Sequence, residues 1–172
     1  YQTVLGNILP GLGHVHFTNG SGSSVMNAIR PAGGCTPYID NYPPNIRFVK
    51  FYLDGTNIEF LGNRVSSLVD IRAHIAETSA ADPGGISSST TNNGTYIAGY
   101  KILSADRSTV VYEPPDAGVR YRFDRKPGDS YVANAFAAGS DVGTHIYILT
   151  NGDGANSNNA NQIVNNNSWN TP

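Results

Sequence analysis

Alternation of apolar and polar residues at every second position is the feature that most constrains how this chain folds. Between Leu68 and Ile75 the apolar members are Val69, Ile71, Ala73 and Ile75, and the polar members are Asp70, Arg72 and His74. Neighbouring side chains of an extended backbone point to opposite faces, so this stretch predicts a strand with one face in the core and one in water. No window keeps an apolar stripe at helical spacing for three turns. The pattern predicts an all-β protein.

The same alternation recurs between clusters of Gly, Pro, Asn and Asp, which favour turns. Further strands are predicted at Arg47–Leu53, Tyr96–Leu103, Thr109–Tyr112, Val119–Asp124, Tyr131–Phe136 and His145–Ile148. Several short strands with turns between them bury their apolar sides most simply as two antiparallel sheets packed face to face. We therefore expect an immunoglobulin-like antiparallel β-sandwich over residues 45–150.

The two ends of the chain differ in composition from this central part. Residues 1–44 are predicted to hold two short strands, Val4–Leu9 and His14–Thr18, and a connection rich in Gly, Ser and Pro. Two consecutive prolines end that connection, and their fixed φ and missing N–H donors suit a stiff lead into the first sandwich strand. Residues 151–172 are rich in Asn and are predicted as a loop or loose tail.

Charge and composition exclude two classes of partner. The net charge is −2 and only 14% of residues are charged, so no basic stripe is available for phosphates or anionic lipid. The apolar runs are also far shorter than the roughly 20 residues of a membrane helix. We expect neither nucleic-acid binding nor membrane insertion. Abundant Asn, Ser, Thr, Gly and Tyr favour an extracellular or cell-surface location, with candidate glycosylation sites at Asn19, Asn93 and Asn166.

A pair of histidines on one predicted strand supplies the strongest catalytic pattern. In His14-Val15-His16 the two imidazoles are two residues apart, so on a strand both face the same side and can converge on one metal ion. Simple packing of two histidines at a strand end gives the same spacing. The spacing alone therefore leaves a metal site and ordinary packing both open.

The residues around this pair resemble a known family. The histidine strand is followed by Asn27-Ala-Ile-Arg-Pro31, Thr36-Pro-Tyr38, Asp40 and Pro43-Pro-Asn-Ile46. In this order the chain resembles the C-terminal part of secreted lysostaphin-type (LytM-like) zinc metallopeptidases, where a His-x-His strand ends the catalytic core and an immunoglobulin-like domain follows. The similarity continues through Leu68–Glu77, Tyr96–Leu103, Tyr147–Gly152 and Trp169–Thr171, so it touches most of the chain.

The resemblance implies roles for the two histidines. In that family zinc is held by a His and an Asp of an upstream His-x-x-x-Asp motif and by the second His of His-x-His. Carried over, His16 is a zinc ligand and His14 a general acid/base acting on a cell-wall peptide. Neither His nor Asp precedes His14 in this sequence, whereas a catalytic zinc site needs about three protein ligands. We expect no cofactor for this chain alone, and zinc only with a complete peptidase core.

Two further patterns have an ordinary reading beside a functional one. The oxygen-rich turn after residue 150 is either a plain turn or a calcium loop with Asn151 and Asp153 as ligands. The aromatic set either packs in the core or forms a sugar-stacking platform. That set comprises Tyr38, Tyr42, Tyr112, Tyr131 and the lone Trp169.

Three functional hypotheses follow. The first is a non-catalytic extracellular module related to peptidoglycan zinc endopeptidases, acting in surface binding or as a self-assembling structural subunit. It explains the missing metal ligands, and its expected partners are another copy or another polypeptide at open β edges, or a cell-wall glycopeptide. The second is a fragment of an active zinc endopeptidase that cleaves bacterial cell-wall peptides. The third is a carbohydrate-binding module, which requires exposed aromatic rings clustered on one face.

Overall fold

The computed structural model shows that the fold is all-β, as the alternation predicts. It describes residues 20, 25–27, 30–31, 33–34, 43–62, 64–76, 94–125, 127–141, 143–153 and 167–172. The strands in this part of the chain are β1 Asn45–Leu53, β2 Leu68–Ala76, β3 Ile97–Gly99, β4 Ile102–Leu103, β5 Val110–Tyr112, β6 Val119–Arg122, β7 Ile146–Ile148 and β8 Trp169–Asn170. A four-residue helix, α1, covers Val132–Ala135, and short 3-10 helices cover Asp129–Tyr131 and Leu149–Asn151.

Strand β2 lies at the centre of a four-stranded antiparallel sheet. It pairs along one side with β1, and along the other with β7 at its middle and β8 at its start. Strands β3 and β6 form a second antiparallel pair, and β4 and β5 a third. Because β8 pairs with β2, the end of the segment predicted as a loose tail belongs to the central sheet.

The apolar face of β2 forms the core, as its alternation predicts. Val69, Ile71, Ala73 and Ile75 are all buried, and the core cluster also contains Ala98, Tyr121, Ala135, Tyr147, Leu149 and Trp169. The buried tyrosines keep their hydroxyl groups hydrogen-bonded. Tyr121 donates to the carbonyl of Ile148, and the Tyr147 hydroxyl accepts from the Thr95 amide at 3.0 Å. Large aromatic side chains thus bury their apolar area without leaving a polar atom unpaired.

The prediction that the polar face of β2 is in water is wrong. Asp70 is 2% exposed and Arg72 8% exposed, and on β6 Arg120 is 5% exposed. Both faces of β2 are covered because the turn after β1 and the segment 133–140 pack over the polar side. Alternation shows which residues share a face, but not which distant segment covers that face.

Two predicted strands also differ from the structure. The stretch Tyr96–Leu103 is divided into β3 and β4, and Tyr131–Phe136 is not a strand. There the Tyr131 amide donates to the carbonyl of Gly128 and the Phe136 amide donates to that of Val132, which closes helical turns. Two alanines within α1 favour this conformation, since alanine is the best helix former. The predicted strands Val4–Leu9 and His14–Thr18 lie outside the described residues.

Candidate functional site

Most of the residues predicted to carry chemistry lie outside the part of the chain that the structure describes. These are His14, His16, Asn19, Asn93 and Asn166, together with Tyr38 and Tyr42. The zinc and glycosylation assignments therefore stay predictions. Among the described residues, no group of three or more His, Cys, Asp or Glu side chains is placed to hold a metal ion.

The proposed calcium ligands lie at the start of the Asn-rich segment. Asn151 is buried, and its side-chain Nδ2 donates to the carbonyl of Asn134 at 2.9 Å while its Oδ1 accepts from the Asn167 amide at 3.0 Å. Its amide therefore ties three segments of the fold together. Asp153 is exposed and lies near Arg120, which counteracts the rise that burial causes in the pKa of the Asp153 carboxyl. A calcium ion between the two stays a prediction.

Three aromatic rings, which we call the aromatic row, lie side by side although they come from different parts of the sequence. Tyr112 of β5 lies between Tyr100, with ring centroids 6.3 Å apart, and Trp169 of β8, with ring centroids 6.5 Å apart. Trp169 is 8% exposed and Tyr112 is 38% exposed. Trp169 therefore forms the buried end of the row, and Tyr112 is its most exposed member.

The aromatic row borders a cavity of about 400 Å³, which we call the aromatic pocket. Its lining contains Tyr100, Tyr112, Pro114, Pro115, Arg120, Asp153, Asn167 and Ser168. The buried guanidinium of Arg120 donates to the carbonyl of Gly152, which fixes its position at the pocket wall. Burial, and secondly the neighbouring Tyr112, raise the pKa of Tyr100, so its phenol is neutral at physiological pH. The pocket combines flat rings with one cation and one carboxylate.

A second cavity, of about 710 Å³, lies over the polar face of β2. Three asparagines, Asn57, Asn134 and Asn151, contribute to its lining, and we call it the amide cleft. Asp70 and Arg72 of β2 also line this cleft, and their charged atoms are 3.5 Å apart. Both charged side chains are buried, so this ion pair is largely shielded from solvent.

Arg72 is fixed by four different contacts. Its Nη1 donates to Asn57 Oδ1 at 2.8 Å, its Nη2 donates to the Thr56 carbonyl at 2.6 Å, and its guanidinium lies 4.1 Å from the ring centroid of Tyr52. The fourth contact is the pair with Asp70. A planar guanidinium suits this combination of stacking and forked donation, which a lysine does not reproduce.

Asp70 is held by weaker partners. Oδ2 accepts from the Gly55 amide at 3.3 Å, and Oδ1 accepts from the Thr150 hydroxyl at 3.2 Å. Burial nevertheless raises the pKa of Asp70 above its ordinary value, and Arg72 counteracts that rise. Desolvation of the carboxylate therefore outweighs its favourable contacts.

Two histidines, one on a strand and one just before its neighbouring strand, are further titratable groups. His74 lies on β2 and His145 precedes β7, and burial lowers the pKa of both. Arg47 lowers the pKa of His74 further. Asp141 raises the pKa of His145, whereas His74 lowers it. Both rings are therefore neutral at physiological pH.

Comparison with known proteins places the chain in no family. No family model matches it, no curated protein matches it, and no solved structure matches it. Within the described ranges, no helix has the length and apolar character needed to cross a membrane.

Sequence reasoning identified only part of the two cavities. It named Tyr112 and Trp169, which the structure brings together, and Tyr131, which packs against the core instead. It named Asn151 and Asp153 only as calcium ligands. It assigned Asp70, Arg72 and Arg120 to wet faces and so missed them as cavity residues. Their positions depend on segments far away in sequence, and no local pattern marks them.

Proposed function

We propose that the protein is a non-catalytic extracellular module that binds surface glycans, with the aromatic pocket as its binding site. The observation that supports this proposal is the aromatic row beside Arg120 and Asp153. A sugar ring has an apolar C–H face that packs on an aromatic ring, and hydroxyl groups that need donors and acceptors at its edge. The exposed ring of Tyr112 provides the first, and the two charged side chains provide the second.

The size and charge of the pocket fit the same ligand class. A volume of about 400 Å³ lies within the ordinary range of ligand sites. Arg120 and Asp153 carry opposite charges, which favours an uncharged ligand over a strongly acidic or basic one. An immunoglobulin-like sandwich and a relation to lysostaphin-type peptidases, as the sequence resemblance implies, are part of this proposal. In such a setting the module would attach to a cell surface without cleaving it.

The lone Trp169 makes the proposal directly measurable. Its indole stacks on Tyr112, so a ligand in the aromatic pocket is expected to change its fluorescence. The titration uses soluble neutral oligosaccharides of glucose, mannose, xylose and N-acetylglucosamine, with calorimetry to obtain the dissociation constant. We expect saturable binding of at least one sugar and a Tyr112→Ala variant about tenfold weaker, which corresponds to ~1.4 kcal/mol of lost stacking.

Two matched variants control for this result. Tyr112→Phe keeps the ring and is expected to bind within about twofold of the original protein, because stacking needs the ring face. Val111→Ala changes the preceding exposed residue, whose side chain points to the other face of β5, and should leave binding unchanged. Absence of saturable binding to every sugar, or equal affinities for Tyr112→Ala and the original protein, would refute the proposal.

Self-association is a second candidate, favoured by the exposed half of β1. Ile46 and Val49 on this strand are 63% and 48% exposed. Among the described residues, the outer side of β1 is paired only near its end, where Tyr52 bridges Glu59. An edge of this kind can add a strand from another chain. Light scattering over a range of protein concentrations tests this, and a constant monomer mass would exclude it.

A further inference from the structure

Two opposite charges, those of Arg120 and Asp153, line the aromatic pocket together without pairing directly. The Arg120 guanidinium donates to the carbonyl of Gly152, so it is fixed at the peptide group that leads into Asp153. Arg120 also lowers the pKa of the Asp153 carboxyl, which places the two charges near enough to interact. Among the ion pairs of the described residues, however, none joins these two side chains. They therefore lie close together with room between them.

Both side chains keep unused hydrogen-bonding capacity. A guanidinium has five N–H donors, and that of Arg120 gives one hydrogen bond to a described residue, the bond to Gly152. Neither of its other two nitrogens is buried without a partner, so these nitrogens reach the solvent of the pocket. Asp153 is exposed, and within the described ranges its carboxylate accepts only from its own backbone amide. The pocket thus offers donors and acceptors a short distance apart.

A trans amide fits this arrangement better than a pair of hydroxyl groups does. The N–H and the C=O of a trans amide point in opposite directions, so one such group between Arg120 and Asp153 can accept from the first and donate to the second. Two neighbouring hydroxyls of a plain sugar leave the ring side by side and can both donate to one carboxylate. They make no specific use of the cation, whereas the amide uses both charges.

We propose that the aromatic pocket selects sugars with an acetamido group, whose carbonyl accepts from Arg120 and whose N–H donates to Asp153. This inference rests on the proposed function and names the class of sugar that the same site takes. The methyl end of the acetamide needs an apolar neighbour, and the lining supplies Pro114 and Pro115 together with the ring of Tyr112. The group is uncharged, so it disturbs neither of the two opposite charges.

A matched pair of ligands isolates the acetamido group. Cellotriose and tri-N-acetylchitotriose share one β-linked glucose backbone and differ only at the second ring carbon, which carries a hydroxyl in the first and an acetamido group in the second. Calorimetry measures the dissociation constant of each. Hydrogen bonds to charged partners are stronger than those between neutral groups, so we expect the acetylated trimer to bind about tenfold more tightly.

Three variants locate the source of this preference. Asp153→Ala removes an exposed acceptor, and the ratio of the two affinities is expected to fall to within about twofold. Asp116→Asn is the matched control, because Asp116 is an exposed acid outside the lining whose charge also acts on Asp153. Its left-handed backbone suits asparagine, and the variant is expected to keep the preference. Tyr112→Ala should weaken both sugars and leave their ratio unchanged. Circular dichroism establishes that each variant is folded.

The possible outcomes separate this inference from the proposed function. Equal affinities for the two trimers, each weakened by Tyr112→Ala, would overturn the acetamido selection and leave the aromatic pocket as a glycan site. A preference that survives Asp153→Ala would also overturn it, and so would a preference that Asp116→Asn abolishes, because a general effect of charge would then be the cause. Failure of every sugar to bind the original protein would overturn both proposals.

Discussion

Removal of the Arg72 side-chain charge provides the strongest test of how the central sheet is built. Arg72→Met keeps an unbranched apolar side chain but removes the guanidinium, so its contact with Tyr52 is lost and Asp70 loses its cationic partner. Among the described residues, the hydrogen bonds that its carboxylate keeps come from the Gly55 amide at 3.3 Å and the Thr150 hydroxyl at 3.2 Å. Breaking a buried ion pair by removing one partner costs about 3–5 kcal/mol, because the other charge stays buried. We expect a loss of that size at pH 7.

The pH dependence of this loss follows from the raised pKa of Asp70. A carboxyl group whose pKa is higher in the folded than in the unfolded protein binds protons more tightly when folded, so its contribution to stability increases as pH falls through that pKa. Loss of Arg72 raises the folded pKa further. The difference in stability between Arg72→Met and the original protein should therefore shrink as the pH is lowered towards the ordinary pKa of an aspartate.

Unfolding in guanidinium chloride at several pH values, followed by Trp169 fluorescence, measures the loss of stability and its pH dependence, since this indole is buried in the core. The double variant Asp70→Asn/Arg72→Met leaves no buried charge at the two positions and should recover most of the lost stability. A loss below about 1 kcal/mol for Arg72→Met would contradict the reasoning. So would a loss that does not change with pH, because it would show that the Asp70 charge is not the cause.

Two other perturbations have definite expected outcomes. Because His74 and His145 have lowered pKa values in the folded protein, the unfolded chain binds more protons than the folded one below about pH 6.5. Stability should therefore fall as the pH is lowered from about 6.5 through the pKa values of the folded protein. A His145→Gln variant with an unchanged pH profile in the same unfolding assay would contradict this. Gly152→Ala should lower the free energy of unfolding by about 1–3 kcal/mol, because its Cβ would overlap the Arg120 carbonyl. In the control Gly128→Ala the new Cβ meets only ordinary contacts, so stability should hardly change. Equal unfolding midpoints for the two variants would count against the overlap.

Local pattern was sufficient to predict the central strand of the core. The alternation in Leu68–Ile75 correctly identified Val69, Ile71, Ala73 and Ile75 as one buried apolar face of β2, because the pleat of an extended chain fixes which residues share a face. It failed for Asp70 and Arg72, whose burial depends on segments about 15 and 65 residues away that pack over them. Alternation carries no information about such a cover.

The aromatic pocket shows a second limit of sequence reasoning. Tyr112 and Trp169 were recognised as candidates for sugar stacking, yet their contact depends on β8 pairing with β2. The Asn-rich composition before Trp169 predicts a loop, and two residues are too short for a strand signal of their own. Tertiary pairing therefore decided whether these rings met, and it also added Arg120 to the same pocket.

The buried ion pair of the amide cleft is not explained by stability alone. Well-packed apolar residues at positions 70 and 72 would stabilise the sheet at least as well, because desolvation offsets most of the attraction between buried charges. The raised pKa of Asp70 is consistent with such a cost. What the pair provides instead is a polar floor without net charge, which orients Asn57 through its bond to Arg72.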